Sequence, residues 1–336
     1  MSENHVIKIC LIPTRNNESY IQHCLMSVSL WADKIIVCDQ MSTDHTREIC
    51  LKFPKVKLID NNTVEYNESY RQKLLIDEAR KIEGQRLLIA LDADEMFSPE
   101  IFHSAEWENV LNAAPGTIIK FQWANLLPGF KKMWYGYYFP WGYMDDGVEH
   151  NETNRIHSGR IPLPEGHPEI EIHDFKVMHF QYTNWERMES KHRWYQCYEK
   201  ITFPEKSAVE IFRQYHHMLA IPKESIIPVP QDWIDEYKKL QIDISMNYPA
   251  SFNWFEEQIV NMIEQYGAAR FKKLRIWDIN WVEKAKQYEK EHPEKYKDPR
   301  SLKDKFIQYW LLKTQNKLDK RNFRRVDHFL QKVLKY

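Results

Sequence analysis

Over the first hundred residues, short apolar runs alternate with longer amphipathic stretches. Residues 6–12, 34–38, 56–59 and 86–91 are rich in Val, Ile and Leu and are predicted strands. Between them lie three predicted helices. Residues 18–30 place Ile21, Leu25 and Val28 on one face, residues 44–52 follow the cap-like Ser42-Thr43-Asp44, and residues 69–82 carry Leu74, Leu75 and Ala79. This β-α-β-α-β-α-β order predicts a mostly parallel sheet flanked by helices, an α/β fold. The run Leu87-Leu88-Ile89-Ala90-Leu91 has no polar alternation, as expected of a strand buried on both faces.

The pattern changes after Glu100. Residues 117–124 and 176–180 are predicted strands, and residues 145–175 are polar, rich in Pro and His, and predicted to be loops with short strands. Between positions 121 and 143 stand ten aromatics: Phe121, Trp123, Phe130, Trp134, Tyr135, Tyr137, Tyr138, Phe139, Trp141 and Tyr143. From residue 184 the pattern is helical, with prolines as breaks. The expected division is a first half at 1–115, a second half at 116–183 and a helical C-terminal region at 184–336.

The chain has 336 residues, enough for a full core, and a net charge of −1 that gives no general pull toward nucleic acid. Its five cysteines form no Cys-x-x-Cys pair and are expected to be reduced thiols in a cytoplasmic protein. No apolar run approaches membrane-spanning length, and residues 1–5 do not read as a signal peptide. Residues 301–336 hold ten Lys or Arg against three Asp. This basic tail could touch anionic lipid headgroups from the inner face of the membrane, pack on the fold, or make a dimer contact. Phe306, Tyr309 and Trp310 favour packing, because they suggest a buried face.

Three polar clusters follow three predicted strands: Pro13-Thr14-Arg15-Asn16-Asn17-Glu18, Asp39-Gln40-Met41-Ser42-Thr43-Asp44 and Asp92-Ala93-Asp94-Glu95. In a parallel sheet these strand ends share one edge, where open α/β sheets bind ligands. Two carboxylates one residue apart can share a hard divalent cation, and the cation can hold a diphosphate. Taken alone, Asp-x-Asp is more often a polar turn. Neither glycine-rich phosphate loop is present, so a metal is the natural holder of such phosphates.

The strings Ile12-Pro13-Thr14-Arg15-Asn16-Asn17-Glu18, Trp31-Ala32-Asp33-Lys34-Ile35-Ile36-Val37, Asp39-x-x-Ser42-Thr43-Asp44-x-Thr46 and Leu91-Asp92-Ala93-Asp94-Glu95 resemble family 2 glycosyltransferases of the GT-A fold, in order and spacing. The resemblance covers about the first third of the chain. It implies a metal-dependent, inverting transfer of a sugar from a nucleoside-diphosphate sugar, most commonly uridine-linked, to a hydroxyl of a carbohydrate or lipid-linked acceptor. It assigns Thr14, Arg15, Glu18, Asp39 and Asp92 to the nucleotide, and Asp94 to Mn2+ or Mg2+. Arg71 is either a nucleotide contact or a solvated helix residue, and Asp44 is favoured as a helix cap.

In the second half, a general base for the acceptor is sought among Asp146 (in Asp145-Asp146-Gly147), Glu169 (in Glu165-Gly166-His167-Pro168-Glu169, after an expected Arg-rich strand at 155–160) and Glu149-His150. Asp146 and Glu169 rank first. His179 is either a core histidine or the second metal ligand. Trp134, Tyr137 and Trp141 are the aromatics best suited to stack on an acceptor sugar. Two other classes compete. A sugar nucleotidyltransferase would carry a glycine-rich loop after the first strand, which is absent here. A carbohydrate-binding module would leave the acidic clusters unexplained.

Overall fold

The computed structural model describes residues 5–149, 155–245 and 254–336. The chain divides into two units, residues 1–184 with 227–252, and residues 185–226 with 253–336. The first holds strands β1 (Ile7–Thr14), β2 (Lys34–Asp39), β3 (Val56–Asp60), β4 (Arg86–Ala90), β5 (Glu95–Phe97), β6 (Ile118–Leu126), β7 (Lys132–Met144), β8 (Glu169–Glu171), β9 (Val177–His179) and β10 (Ile227–Pro228). Its helices are α1 (Glu18–Trp31), α2 (Thr46–Cys50), α3 (Glu68–Ala79) and α4 (Ala105–Leu111), with a fifth at Gln231–Lys239. The second unit is helical: α5 (Trp185–Thr202) and α6 (Ala208–Tyr215), then, past the first unit's Gln231–Lys239 (α7), α8 (Trp254–Tyr266), α9 (Trp281–Gln287), α10 (Leu302–Thr314) and α11 (Arg321–Lys332).

The sheet order is β3-β2-β1-β4-β7-β6-β9-β5. The first four strands are parallel, and β7 joins β4 antiparallel. The sheet is mixed and mostly parallel, as expected. As its pattern predicts, β4 is covered on both faces. Leu87, Ile89 and Leu91 enter one apolar cluster with α1, and Leu88 and Ala90 enter another with α3.

The aromatic stretch is largely a strand. β7 runs thirteen residues and pairs with β6 through two register shifts. Its period is masked by Gly136, Pro140 and Gly142. Gly142 is required by close packing, since a Cβ there would lie 2.8 Å from Ile119 Cβ and 3.0 Å from Ile89 Cδ1. Residues 155–160 form an irregular segment rather than a strand.

Residues 227–252 group with the sheet, which differs from the expected boundary at 184. The reason is Tyr237 on α7. It is fully buried, shares a 2.8 Å hydrogen bond with Ser27 and donates to the Phe97 carbonyl at 2.5 Å.

Candidate active site

Register places the first two polar clusters at one edge. Thr14 pairs with Asp39, and Asp39 with Asp60, at the C-terminal ends of β1, β2 and β3. On the other side of β1, Leu11 pairs with Ala90, and Leu91 N–H bonds the Leu11 carbonyl, so Asp92 emerges at the same edge. The three polar clusters therefore share one sheet edge.

Much of the polar motif holds this edge together. Asn16 N–H donates to Ser42 Oγ and Thr43 N–H to Asn16 Oδ1, both at 2.8 Å. Asn17 N–H donates to Thr46 Oγ1 at 2.8 Å. Asp44 accepts from the first residues of two helices, Thr46 N–H at 3.0 Å and Glu18 N–H at 3.1 Å, so its capping role serves α2 and α1 together. Glu18 in turn accepts from His45, at the backbone N–H (3.1 Å) and at Nδ1 (2.8 Å). The hydrogen bond to Glu18 raises the His45 pKa. Asn16 and Met41 both take left-handed backbone angles, φ 50° and 51°. For methionine that conformation is costly, and such strain tends to concentrate at functional loops.

Asp39 has a different character. Its side chain is fully buried. Oδ2 accepts from Arg47 at 2.9 Å and from Ser42 N–H at 3.1 Å, while Oδ1 has no partner among the described residues. Beside it, Gln40 Oε1 and Asn61 Nδ2 are likewise buried without partners among the described residues. Buried polar atoms are rarely left unsatisfied. Thr14 is buried here and accepts from Asn17 Nδ2 at 3.2 Å. Arg15 is half-buried on the same loop. Arg71 lies 4.9 Å over the Tyr66 ring. Its charge draws down the Cys38 thiol, which burial nonetheless pushes up to about 12.

The acidic cluster carries a residue that sequence reasoning missed. Arg160 reaches Asp92 at 2.6 Å and both oxygens of Glu95, at 2.5 and 3.1 Å. It lies 5.0 Å over the Trp141 ring and 5.8 Å over Trp123. Glu95 also accepts from Trp123 Nε1 (2.8 Å) and from Asp92 N–H (2.9 Å). Burial pushes the Glu95 carboxyl up, against the pull of Arg160. Burial also works against the Arg160 charge, but Asp92 and Glu95 outweigh it and hold the guanidinium charged. The loop bearing Arg160 is pinned to α3: Glu68 N–H bonds the Arg155 carbonyl (2.9 Å) and Ser158 N–H bonds Glu68 Oε2 (3.0 Å). The only sequence signal was the pair of arginines at 155 and 160.

Asp94 and His179 come to adjacent positions across β5 and β9. Glu95 is the register partner of His179, and Phe180 N–H bonds the Asp94 carbonyl at 2.9 Å. Both side chains are buried. His179 stacks on Trp123 at 4.7 Å, and its Nδ1 lies 2.9 Å from Asn125 Oδ1. No group of three or more His, Cys, Asp or Glu is set to hold a metal among the described residues. Asp94 also lines a cleft with His23, Phe130, Phe180 and Asp243.

Both expected general bases are displaced from this edge. Asp145 N–H bonds the Arg86 carbonyl, which places Asp145 and Asp146 at the start of β4, while Asp92 follows its end. At roughly 3.3 Å per residue the two edges stand about 15 Å apart. Asp145 is locked by Arg80 and Arg86, at 2.8 Å each, and Asp146 accepts from Val148 N–H at 2.8 Å. Glu169 sits opposite Ile118, at the far end of β6 from Asn125, and pairs with Lys120 on the surface. The strands thus carry both carboxylates away from the edge that bears Asp39 and Asp92. His150, of the third candidate pair, lies outside the described residues, while Glu149 is exposed and pairs with Lys73 at 3.3 Å. Removing Asp145 is expected to cost about 1–3 kcal/mol, because two half-buried arginines lose the carboxylate they share. Asp146→Ala and Glu169→Ala are expected to leave turnover unchanged. Urea denaturation and a donor-consumption assay check the two statements.

The proposed acceptor aromatics also separate. Trp134 is buried against Tyr182 at 4.6 Å, and Trp141 is buried beneath Arg160, so neither offers an open face to a sugar. Tyr137 is 83% exposed.

Residues 9–105 match the model of glycosyl transferase family 2. Over that stretch the chain is similar to the family. The matched segment contains Thr14, Asp39, Asp92 and Asp94. Among solved structures, the chain is similar to glucosyl-3-phosphoglycerate synthase from Mycobacterium tuberculosis in complex with Mn2+, uridine diphosphate and phosphoglyceric acid, at 17% identity and a TM-score of 0.28. The match covers 35% of this chain and 43% of that one, less than half its length. It is also similar to a 4-diphosphocytidyl-2C-methyl-D-erythritol synthase, at 16% identity and a TM-score of 0.29, over 47% of this chain and 74% of that one. No curated protein matches the chain.

Proposed function

We propose that the chain is a metal-dependent, inverting glycosyltransferase that moves a sugar from a nucleoside-diphosphate donor, most simply a uridine one, to an acceptor hydroxyl. The single observation that carries this reading is the buried, half-satisfied Asp39 carboxylate, aligned with Thr14 and Asp60 at the edge where Asp92 and Asp94 emerge. An acceptor on Asp39 Oδ1 and a donor on Asn61 Nδ2 suit the polar edge of a base or ribose, and the family match spans the same residues.

Asp94 and His179 would hold a divalent cation such as Mn2+ or Mg2+. When bound, it would neutralise the diphosphate leaving group. Two protein ligands suit this role, since phosphates commonly complete such sites. Asp92, held by Arg160, would face the ribose or sugar. A carbohydrate or a lipid-linked sugar would serve as acceptor, with Tyr137 as the aromatic left free to meet it. Asp243 shares the Asp94 cleft and replaces Asp146 and Glu169 as the carboxylate to test as base. Hydrogen bonds from Ser245 lower its pKa, which makes it a weak base in the free protein.

The test is nucleotide binding by Asp39→Asn. That change keeps shape and removes charge. It is expected to weaken nucleoside diphosphate binding at least tenfold, about 1.4 kcal/mol. Unchanged affinity by calorimetry, with native melting, would remove Asp39 from the site.

A further inference from the structure

The last two helices of the second unit form an antiparallel hairpin. The Trp310 and Phe323 rings lie 5.8 Å apart, and the Tyr336 hydroxyl donates to the Asp304 carbonyl at 3.3 Å. Its inner face is buried: Asp304, Ile307, Gln308 and Leu311 on α10, and Asp327 and Leu330 on α11. The 3.6-residue period then puts Leu302, Phe306, Tyr309 and Lys313 on one outward line of α10. Leu302 is 87% exposed, Phe306 68% and Tyr309 58%. This reverses the expectation that Phe306 and Tyr309 form a buried face. On α11 the outward line is Arg321, Arg325, His328 and Lys332, with the exposed Phe329 and Val333 on its flank.

Charge is sorted in the same direction. Residues 301–336 hold ten Lys or Arg against three Asp, in a chain whose net charge is −1. Two of those three acids face inward. Asp304 accepts from Ser301 in a capping box, and Asp327 accepts a two-pronged contact from Arg213 at 2.8 and 2.9 Å. Of the ten cations, Lys305 pairs with Asp298 at 3.7 Å, and no other has a carboxylate partner among the described residues. The outward surface therefore combines unpaired cations with large apolar side chains in water.

We propose that this hairpin face docks on an anionic lipid bilayer surface. Cations meet the headgroups, while Leu302, Phe306, Tyr309, Phe329 and Val333 enter the headgroup–acyl boundary. A second copy of the chain is a poor occupant, since two such faces would bring like charges together. A nucleic acid would use the cations but has no stacking role for Leu302 or Val333. Among the described residues no helix is long and apolar enough to cross a membrane, so the contact is peripheral.

The experiment is co-sedimentation of the full chain with vesicles of phosphatidylcholine, alone or mixed with phosphatidylglycerol. Binding is expected only with phosphatidylglycerol, and it should weaken at high salt. Combined Arg321→Gln, Arg325→Gln and Lys332→Gln is expected to weaken it about a hundredfold, at roughly fivefold per cation. Combined Leu302→Ser, Phe306→Ser and Tyr309→Ser is expected to weaken it without changing the melting temperature, because all three are exposed. The proposal fails if the native chain ignores phosphatidylglycerol vesicles, or if the serine variant binds them as well as the native chain. It also fails if a mixed-sequence oligonucleotide displaces the vesicles.

Discussion

Asp94→Ala is expected to reduce turnover by at least about a hundredfold, the scale of losing one preorganised charge-stabilising group. It should also abolish the metal dependence of nucleotide binding. The fold should survive, because the bond that ties this position to β9 runs from Phe180 N–H to the Asp94 backbone carbonyl, which alanine keeps. His179→Ala should share the metal phenotype. It should also lower stability modestly, because His179 stacks on Trp123. Turnover and metal titration of the two variants decide the assignment. If Asp94→Ala turns over normally with native metal dependence, the cation is not held there.

Arg160→Ala is expected to be the most damaging single change at this sheet edge. Arg160 is the only cation bonded to both Asp92 and Glu95 among the described residues. Its loss leaves Glu95 buried without its counter-charge, which typically costs about 3–5 kcal/mol. The pH dependence follows from the sign of the Glu95 shift. Its pKa is raised in the folded chain by burial, and it rises further once Arg160 no longer opposes that effect. The folded state then binds more protons than the unfolded one. Stability of the variant should be greatest below the ordinary glutamate range and fall as pH rises through the Glu95 value. Adding Glu95→Gln should remove most of that slope and recover stability, while turnover stays low because Asp92 has still lost its anchor. Chemical denaturation across pH, with kcat and KM measured separately, distinguishes the two roles. A pH-independent Arg160→Ala variant would mean that Glu95 is not stabilised by this pair.

The shared edge of Thr14, Asp39 and Asp92 was legible in the sequence because each part was local. The strand ends, the polar clusters behind them and the order of elements all follow from short-range patterns, and register did the rest by aligning Thr14 with Asp39. What those clusters do was less legible. Asn16, Asn17, Ser42, Asp44 and Thr46 brace two loops against each other, and the same polar residue types could as well have contacted a ligand. The second half was hard to read because its geometry depends on long-range pairing. Asp146 and Glu169 look catalytic by composition, yet β7 and β8 carry them to the opposite edge. Arg160 reaches Asp92 across 68 positions of sequence, which no local pattern encodes. β7 was concealed because Gly136, Pro140 and Gly142 break the alternation that marks a strand.

The central claim is a nucleoside-diphosphate site built on Asp39 and Asp94, and a thermal-shift screen of nucleoside diphosphates with and without Mn2+ tests it most directly. A ligand at a hundred times its dissociation constant stabilises the folded state by about 2.7 kcal/mol, enough to move the melting temperature measurably. The account predicts a shift with one nucleotide that requires the metal, is reduced by Asp39→Asn and vanishes in Asp94→Ala. A chain that melts at the same temperature with every nucleotide, with or without metal, would contradict it.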